Sequence, residues 1–180
     1  AAELLQRQVD FRLSGAEKAR VGTRLATIRI LNKEPELALA ALKKSNETGL
    51  APQLLTERLK LQARALIDLD RQSEAIALLR DDVSRGADLL RNEVFWEAKE
   101  WPKAVNVLRR LVRSTGATPG KPLDERQALF VLNLGVALAL AGYDTGSTKL
   151  LGDYGAAMDN TTLKDAFQLI ASPETTGLAD

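Results

Sequence analysis

The feature that most constrains this chain is a spacing that recurs four times. A small residue on one helical segment is followed twelve residues later by a small residue on the next. The pairs are Ala26 and Ala38, Ala63 and Ala75, and Gly135 and Ser147, with Asn92 and Ala104 as the variant case. A Leu follows four residues beyond in each: Leu42, Leu79, Leu108 and Leu151. Two helices approach closely only where the facing side chains are small, and a Leu one turn further on fills the groove beside that contact. The spacing therefore predicts a series of antiparallel helical hairpins.

Apolar residues at helical period, split by short breakers, place those helices. The first hairpin spans 16–32 and 36–45 around a Lys33-Glu34-Pro35 turn, with Pro35 at a helix start where its missing N–H costs nothing. The second spans 52–69 and 73–83 around Asp70-Arg71-Gln72. The third spans 87–99 and a return ending near Ser114, around Glu100-Trp101-Pro102. A Gly/Pro loop at 115–122 precedes the fourth, 123–141 and 145–157, around Gly142-Tyr143-Asp144 with Gly142 as a helix C-cap. The cap-rich Asn160-Thr161-Thr162 starts a final helix to about Ala171. Only 4% of the residues are aromatic, a composition that suits helices and not sheets. The expected fold is all-α, in one domain over 1–171. Residues 1–15 close a preceding hairpin, 16–157 form four hairpins, 158–171 cap them, and 172–180 form an extended tail.

Several functions are excluded by what is missing. The chain has no Cys and no His, so thiolate and imidazole metal sites and His-based nucleophilic catalysis are impossible. Its 25 basic and 24 acidic residues leave a net charge of +1, too small to draw the chain to nucleic acid or to an anionic membrane. The longest apolar stretch, Ala128 to Ala141, is interrupted by Asn133 and falls short of the roughly 18 residues a membrane span needs. The chain opens Ala1-Ala2-Glu3 without Met, which reads as a fragment of a longer protein. It carries no targeting segment, and both the bacterial envelope and the cytoplasm stay open as its compartment.

Motif-like stretches resolve into ordinary helix connections. Gly116 to Pro122 echoes a phosphate loop, but its Gly spacing is short, Pro122 replaces the needed hydroxyl, and no strand precedes it. Gly142 to Lys149 fails similarly. Asp68 to Glu74 has calcium-loop acidic spacing but lacks the central Gly and the closing Glu. Asn46-Glu47-Thr48 is a glycosylation sequon by pattern alone. The carboxylate pairs Asp81/Asp82 and Glu97/Glu100 read as solvated helix neighbours, and Lys103, Arg109, Arg110 and Arg113 as a solvated outer face. No catalytic, metal or cofactor site is expected, and the fragment is read as not an enzyme.

Glu100-Trp101-Pro102-Lys103-Ala104-Val105 and Asn133-Leu134-Gly135-Val136-Ala137 resemble the turn and first-helix signatures of the tetratricopeptide repeat (TPR) family. The resemblance covers 16–157. The steps between small residues, 37, 29 and 43, depart from the family's period of about 34, and most of its aromatics are absent. The segment also resembles the C-terminal part of long bacterial envelope proteins of this class. The resemblance implies a TPR-like right-handed α-solenoid of about four hairpins plus flanking helices, working as a protein-interaction or scaffolding module.

The family's geometry places Trp101 and Phe95 between helices. It places Thr23 and Thr27 in a concave groove, with Lys60, Arg64 and Asp68 from the second hairpin and Glu93, Trp96 and Glu97 from the third. Trp96 is either an anchor in that groove or packing against a neighbouring hairpin. The corresponding face of the fourth hairpin, Leu132, Val136, Ala139 and Leu140, is apolar and must be covered. The final helix, through Leu163, Phe167 and Ile170, is expected to fold over it. A homodimer interface or the seat of a missing segment are the alternatives. The expected partner is a protein or peptide. The alternative function is a spacer or oligomerisation segment with no ligand of its own.

Overall fold

The computed structural model of the chain describes residues 1–11 and 13–171, so the tail expected at 172–180 lies outside it. Among the described residues there are ten helices and no strand. They are α1 (Ala2–Phe11), α2 (Gly15–Leu31), α3 (Pro35–Lys44), α4 (Pro52–Asp68), α5 (Gln72–Leu78), α6 (Arg85–Glu97), α7 (Trp101–Ser114), α8 (Glu125–Leu140), α9 (Asp144–Met158) and α10 (Lys164–Ala171).

Two boundaries differ from expectation. α5 stops at Leu78 instead of reaching Val83. The last apolar residue to face inward is Leu79, the Asp82 N–H turns back to the Leu79 carbonyl (2.9 Å), and the Asp82 carboxylate accepts the Ser84 N–H (2.8 Å), leaving Val83 91% exposed. α10 begins at Lys164. The Thr161 hydroxyl donates to the Met158 carbonyl (2.8 Å) and accepts the Leu163 N–H (3.3 Å), so these cap-type residues close a turn before the helix starts.

The hairpin turns are copies of one another. Lys33, Asp70, Lys99 and Gly142 all adopt left-handed backbone, with φ of 60°, 57°, 55° and 68°. Each donates its N–H to the carbonyl three residues back. The next N–H reaches five residues back: Glu34 to Arg29 (2.9 Å), Arg71 to Leu66 (2.8 Å), Glu100 to Phe95 (2.8 Å) and Tyr143 to Leu138 (2.9 Å). This pair of bonds satisfies carbonyls that the helix end leaves open. The following residue begins the return helix. Left-handed backbone costs a non-Gly residue roughly 1–2 kcal/mol, so three of the four turns hold their geometry against strain. They recur at intervals of 37, 29 and 43 residues, the same steps as the small-residue pairs.

The chain divides into two compact units, with the boundary inside α6 at Leu90 and Arg91. In the first unit α2 packs on α1, α3 and α4, and α4 also packs on α3 and α5. Ala26 and Ala38 are fully buried at the α2–α3 contact, and Ala63 and Ala75 at the α4–α5 contact, with Leu42 and Leu79 buried beside them. In the second unit α8 packs on α7 and α9, and α10 lies against both α8 and α9. Phe167 of α10 is 2% exposed among Leu108, Leu111, Leu134, Leu138 and Met158 of this core. An Asp124–Gln127 capping box starts α8, each residue's side chain accepting the other's backbone N–H.

The fourth hairpin departs from the predicted register. Leu150 is buried and Leu151 is 39% exposed. α9 buries a stripe through Leu150, Tyr154, Ala157 and Met158, and Leu150 meets Gly135, so Leu151 falls one residue off that stripe. On the face of α8 expected to need cover, Leu132 and Val136 are half-buried, whereas Ala139 and Leu140 are exposed.

Candidate functional site

The residues expected to line a groove fall in both units. In the first, Thr27 is half-buried and its hydroxyl donates to the Thr23 carbonyl (3.1 Å). Lys60 is half-buried against Gly86, where a Cβ would stand 3.1 Å from its Cδ. Arg64 pairs with Asp68 one turn along α4 (3.3 Å). In the second unit Glu93 and Trp96 are half-buried and Glu97 is exposed. Trp96 meets Trp101 edge-on, ring centroids 5.4 Å apart, and packs against the core of its own unit. Phe95 packs on the same core, with the Lys103 ammonium 5.5 Å above its ring. Trp96 is thus held in packing contacts. The open surface that α2 and α4 share is a shallow cleft of about 440 Å³ between Arg20, Thr23 and Arg24 on one side and Gln53, Leu54 and Glu57 on the other.

The most elaborate polar arrangement lies behind that surface, at Arg58. This residue sits on the apolar stripe of α4, seven residues before Ala65, and is 7% exposed. Its Nη1 donates to the Ala19 carbonyl (3.0 Å), the Thr23 hydroxyl (3.0 Å) and the Ser45 hydroxyl (3.2 Å), and its Nη2 to the Leu42 carbonyl (2.6 Å). One guanidinium therefore ties α4 to the middle of α2 and the end of α3. Among the described residues no carboxylate balances it, and burial lowers its pKa from the ordinary value. Arginine nevertheless keeps its charge. Gly22 makes room for this network, because any side chain there would run into Ser45.

Each unit also contains a recessed cleft, and the two are built alike. The first, about 420 Å³, lies between α3 and α5 over α4. Its walls are Leu39, Leu42, Leu55, Leu59 and Leu66, and its cations are Lys43, Arg58 and Arg71. The second, about 480 Å³, lies between α7 and α9 over α8. Val112, Leu134, Leu138 and Leu150 give it apolar walls, and Arg109, Arg113 and Lys149 its cations. Counted from the left-handed turn residue of each hairpin, Lys43 and Arg109 hold the same position, ten residues on. Leu66 and Leu138 also correspond, each four residues before the turn.

The acids inside these clefts are already engaged. Arg71 grips Glu74 through two bonds (2.7 and 2.8 Å), and this holds the Glu74 carboxyl below its usual range. Lys149 pairs with Asp153 (2.9 Å). Lys43, Arg58, Arg109 and Arg113 have no acidic partner among the described residues.

None of the eight residues placed in a groove from the sequence lines either cleft. The one available signal was Arg58, a cation on an otherwise apolar stripe through Leu54, Leu61 and Ala65. Among the described residues no group of three acidic side chains is placed to hold a metal ion, and no helix is long and apolar enough to cross a membrane. No protein-family model matches this chain, and neither does any curated protein or solved structure.

Proposed function

We propose that this chain is a protein-binding scaffold in which TPR-like hairpins stack as a right-handed solenoid. The observation that carries this reading is the recurrence of one turn geometry at four positions whose steps match the small-residue pairs. Hairpins that share a turn and a packing register stack by repeating one interface, and such stacks present surfaces suited to a peptide or partner helix. The chemistry of the surface agrees. It offers half-buried aromatics, apolar clefts and single charges.

The test is capture from native lysate on the immobilised chain, followed by titration with each purified candidate. A saturable complex that tolerates moderate salt supports the scaffold. A Lys60→Glu, Glu97→Lys double reversal then asks whether the expected face takes part: weakened binding places the partner there, and unchanged binding removes that face from the reading. The alternative is an oligomerisation segment, favoured by the exposure of Leu129 (47%), Leu140 (53%) and Leu169 (66%) in the second unit. No saturable partner, together with a light-scattering mass that grows with concentration, would replace the scaffold reading with that one.

A further inference from the structure

We infer that the two recessed clefts, and not the groove expected at Lys60, Arg64 and Trp96, are the binding subsites, and that they take an acidic peptide segment bearing leucine-like side chains. The inference rests on the scaffold reading and adds the site and the partner's chemistry.

Three observations carry it. The first is the equivalence of the clefts: each is bounded by two return helices and floored by the helix between them, with Lys43 and Arg109 at one repeat position. A feature repeated in both units is a product of the repeat itself, so one ligand chemistry fits both. The second is the charge balance. Each cleft holds one carboxylate already satisfied by a neighbouring cation, Glu74 by Arg71 and Asp153 by Lys149. Each also holds two cations with no acidic partner among the described residues, Lys43 with Arg58 and Arg109 with Arg113. Asp144 stands on the rim beside Arg109 and lowers the excess in the second cleft without cancelling it. The chain as a whole is nearly neutral, so this local surplus is a property of the sites.

The third observation is the wall chemistry. Leu55 and Leu59 remain 43% and 37% exposed on the wall of the first cleft, presenting apolar surface beside the free ammonium of Lys43. A guanidinium has five N–H donors. Arg58 directs Nη1 and one Nη2 hydrogen at its four acceptors, which leaves Nε–H and the second Nη2–H uncommitted. A ligand carboxylate is the group best matched to that pair of donors. A basic or uncharged apolar segment would cover the leucines and leave the cations desolvated without a partner, which is costly.

The experiment is an NMR titration of the isotope-labelled chain with three synthetic peptides of equal length: alternating Glu and Leu pairs, alternating Lys and Leu pairs, and alternating Glu and Ser pairs. The Glu/Leu peptide is expected to shift the amides of Lys43, Leu59 and Gln62 and those of Arg109, Leu138 and Lys149. The other two peptides should shift them weakly. Lys43→Glu and Arg109→Glu change exposed side chains and leave the fold intact by circular dichroism. Each is expected to weaken binding at its own cleft by about tenfold, the size of a charge-assisted contact of ~1.4 kcal/mol. Shifts confined to Lys60, Arg64 and Trp96 would overturn the inference and keep the scaffold. Equal binding of the Lys/Leu peptide at the clefts would overturn the acidic partner, as would full affinity in both variants. Absence of shifts with all three peptides would overturn the inference, and the lysate capture would decide the scaffold separately.

Discussion

The same substitution, Gly to Ala, is predicted to act with opposite sign at two helical positions. Gly152 lies in α9 with nothing within 4 Å of where a Cβ would stand. An added methyl there restricts the unfolded chain and meets no neighbour, so Gly152→Ala is expected to stabilise by about 0.5–1 kcal/mol. Gly22 lies buried in α2, and its Cβ would overlap the Cβ and Oγ of Ser45. Ser45 has no free direction in which to yield. Its hydroxyl donates to the Ala41 carbonyl (2.7 Å) and accepts from Arg58 (3.2 Å). Displacing it removes an acceptor from a buried cation, worth about 1.5–3 kcal/mol, and forces extra volume into a packed contact, about 1–3 kcal/mol. Set against the propensity gain, Gly22→Ala is expected to destabilise by about 1.5–5.5 kcal/mol. Urea denaturation followed by circular dichroism measures both variants. Tryptophan fluorescence adds a report on the second unit, because Trp96 and Trp101 both lie there. Ser45→Gly in the Gly22→Ala background should recover part of the loss, so the two changes couple in a double-mutant cycle. Equal signs for the two Gly variants, or strict additivity at Gly22 and Ser45, would refute the reasoning.

Two further outcomes follow from the repeat and from burial. Asn92 occupies the small-residue position of the third hairpin and its Oδ1 is buried without a hydrogen-bond partner, so Asn92→Ala should raise stability by about 1 kcal/mol in the same urea assay. Burial and the charge of Asp153 raise the pKa of the Tyr154 phenol above its ordinary value of about 10. A raised folded-state pKa gives stability that is complete below the unfolded value and is lost as pH climbs through the folded one. Phenolate absorbance should therefore show Tyr154 ionising above the ordinary phenol range, with helicity falling over that range and Tyr154→Phe abolishing that step.

The helices were legible because they are written in local terms. Apolar period, Pro at helix starts and short breakers mark seven of the eight ends of α2 to α5 to within about one residue, and only the end of α5 was missed, where a side-chain bond from Asp82 closes the chain early. The turns were half legible. Gly142 announces a left-handed cap, while Lys33, Asp70 and Lys99 take the same backbone without the residue type that would signal it. Their equivalence becomes visible only through the register of the small pairs. The clefts left only one mark in the sequence, Arg58 on the apolar stripe of α4, and the reason is specific. Lys43 and Lys44 are neighbours in the chain with identical side chains. Lys44 reaches Asp10, thirty-four residues away, at 3.3 Å, while Lys43 finds no acid and faces leucines from another helix. Nothing local distinguishes the two. Whether a surface charge is spent within the fold or left for a partner depends on which distant side chains the packing delivers. In a stack of hairpins that depends on the step from one hairpin to the next. Lys43 and Arg109 are equivalents in the repeat register, each one residue after its Leu, Leu42 and Leu108, yet because the step varies here between 29 and 43 residues that register does not say which distant acids the packing brings to them.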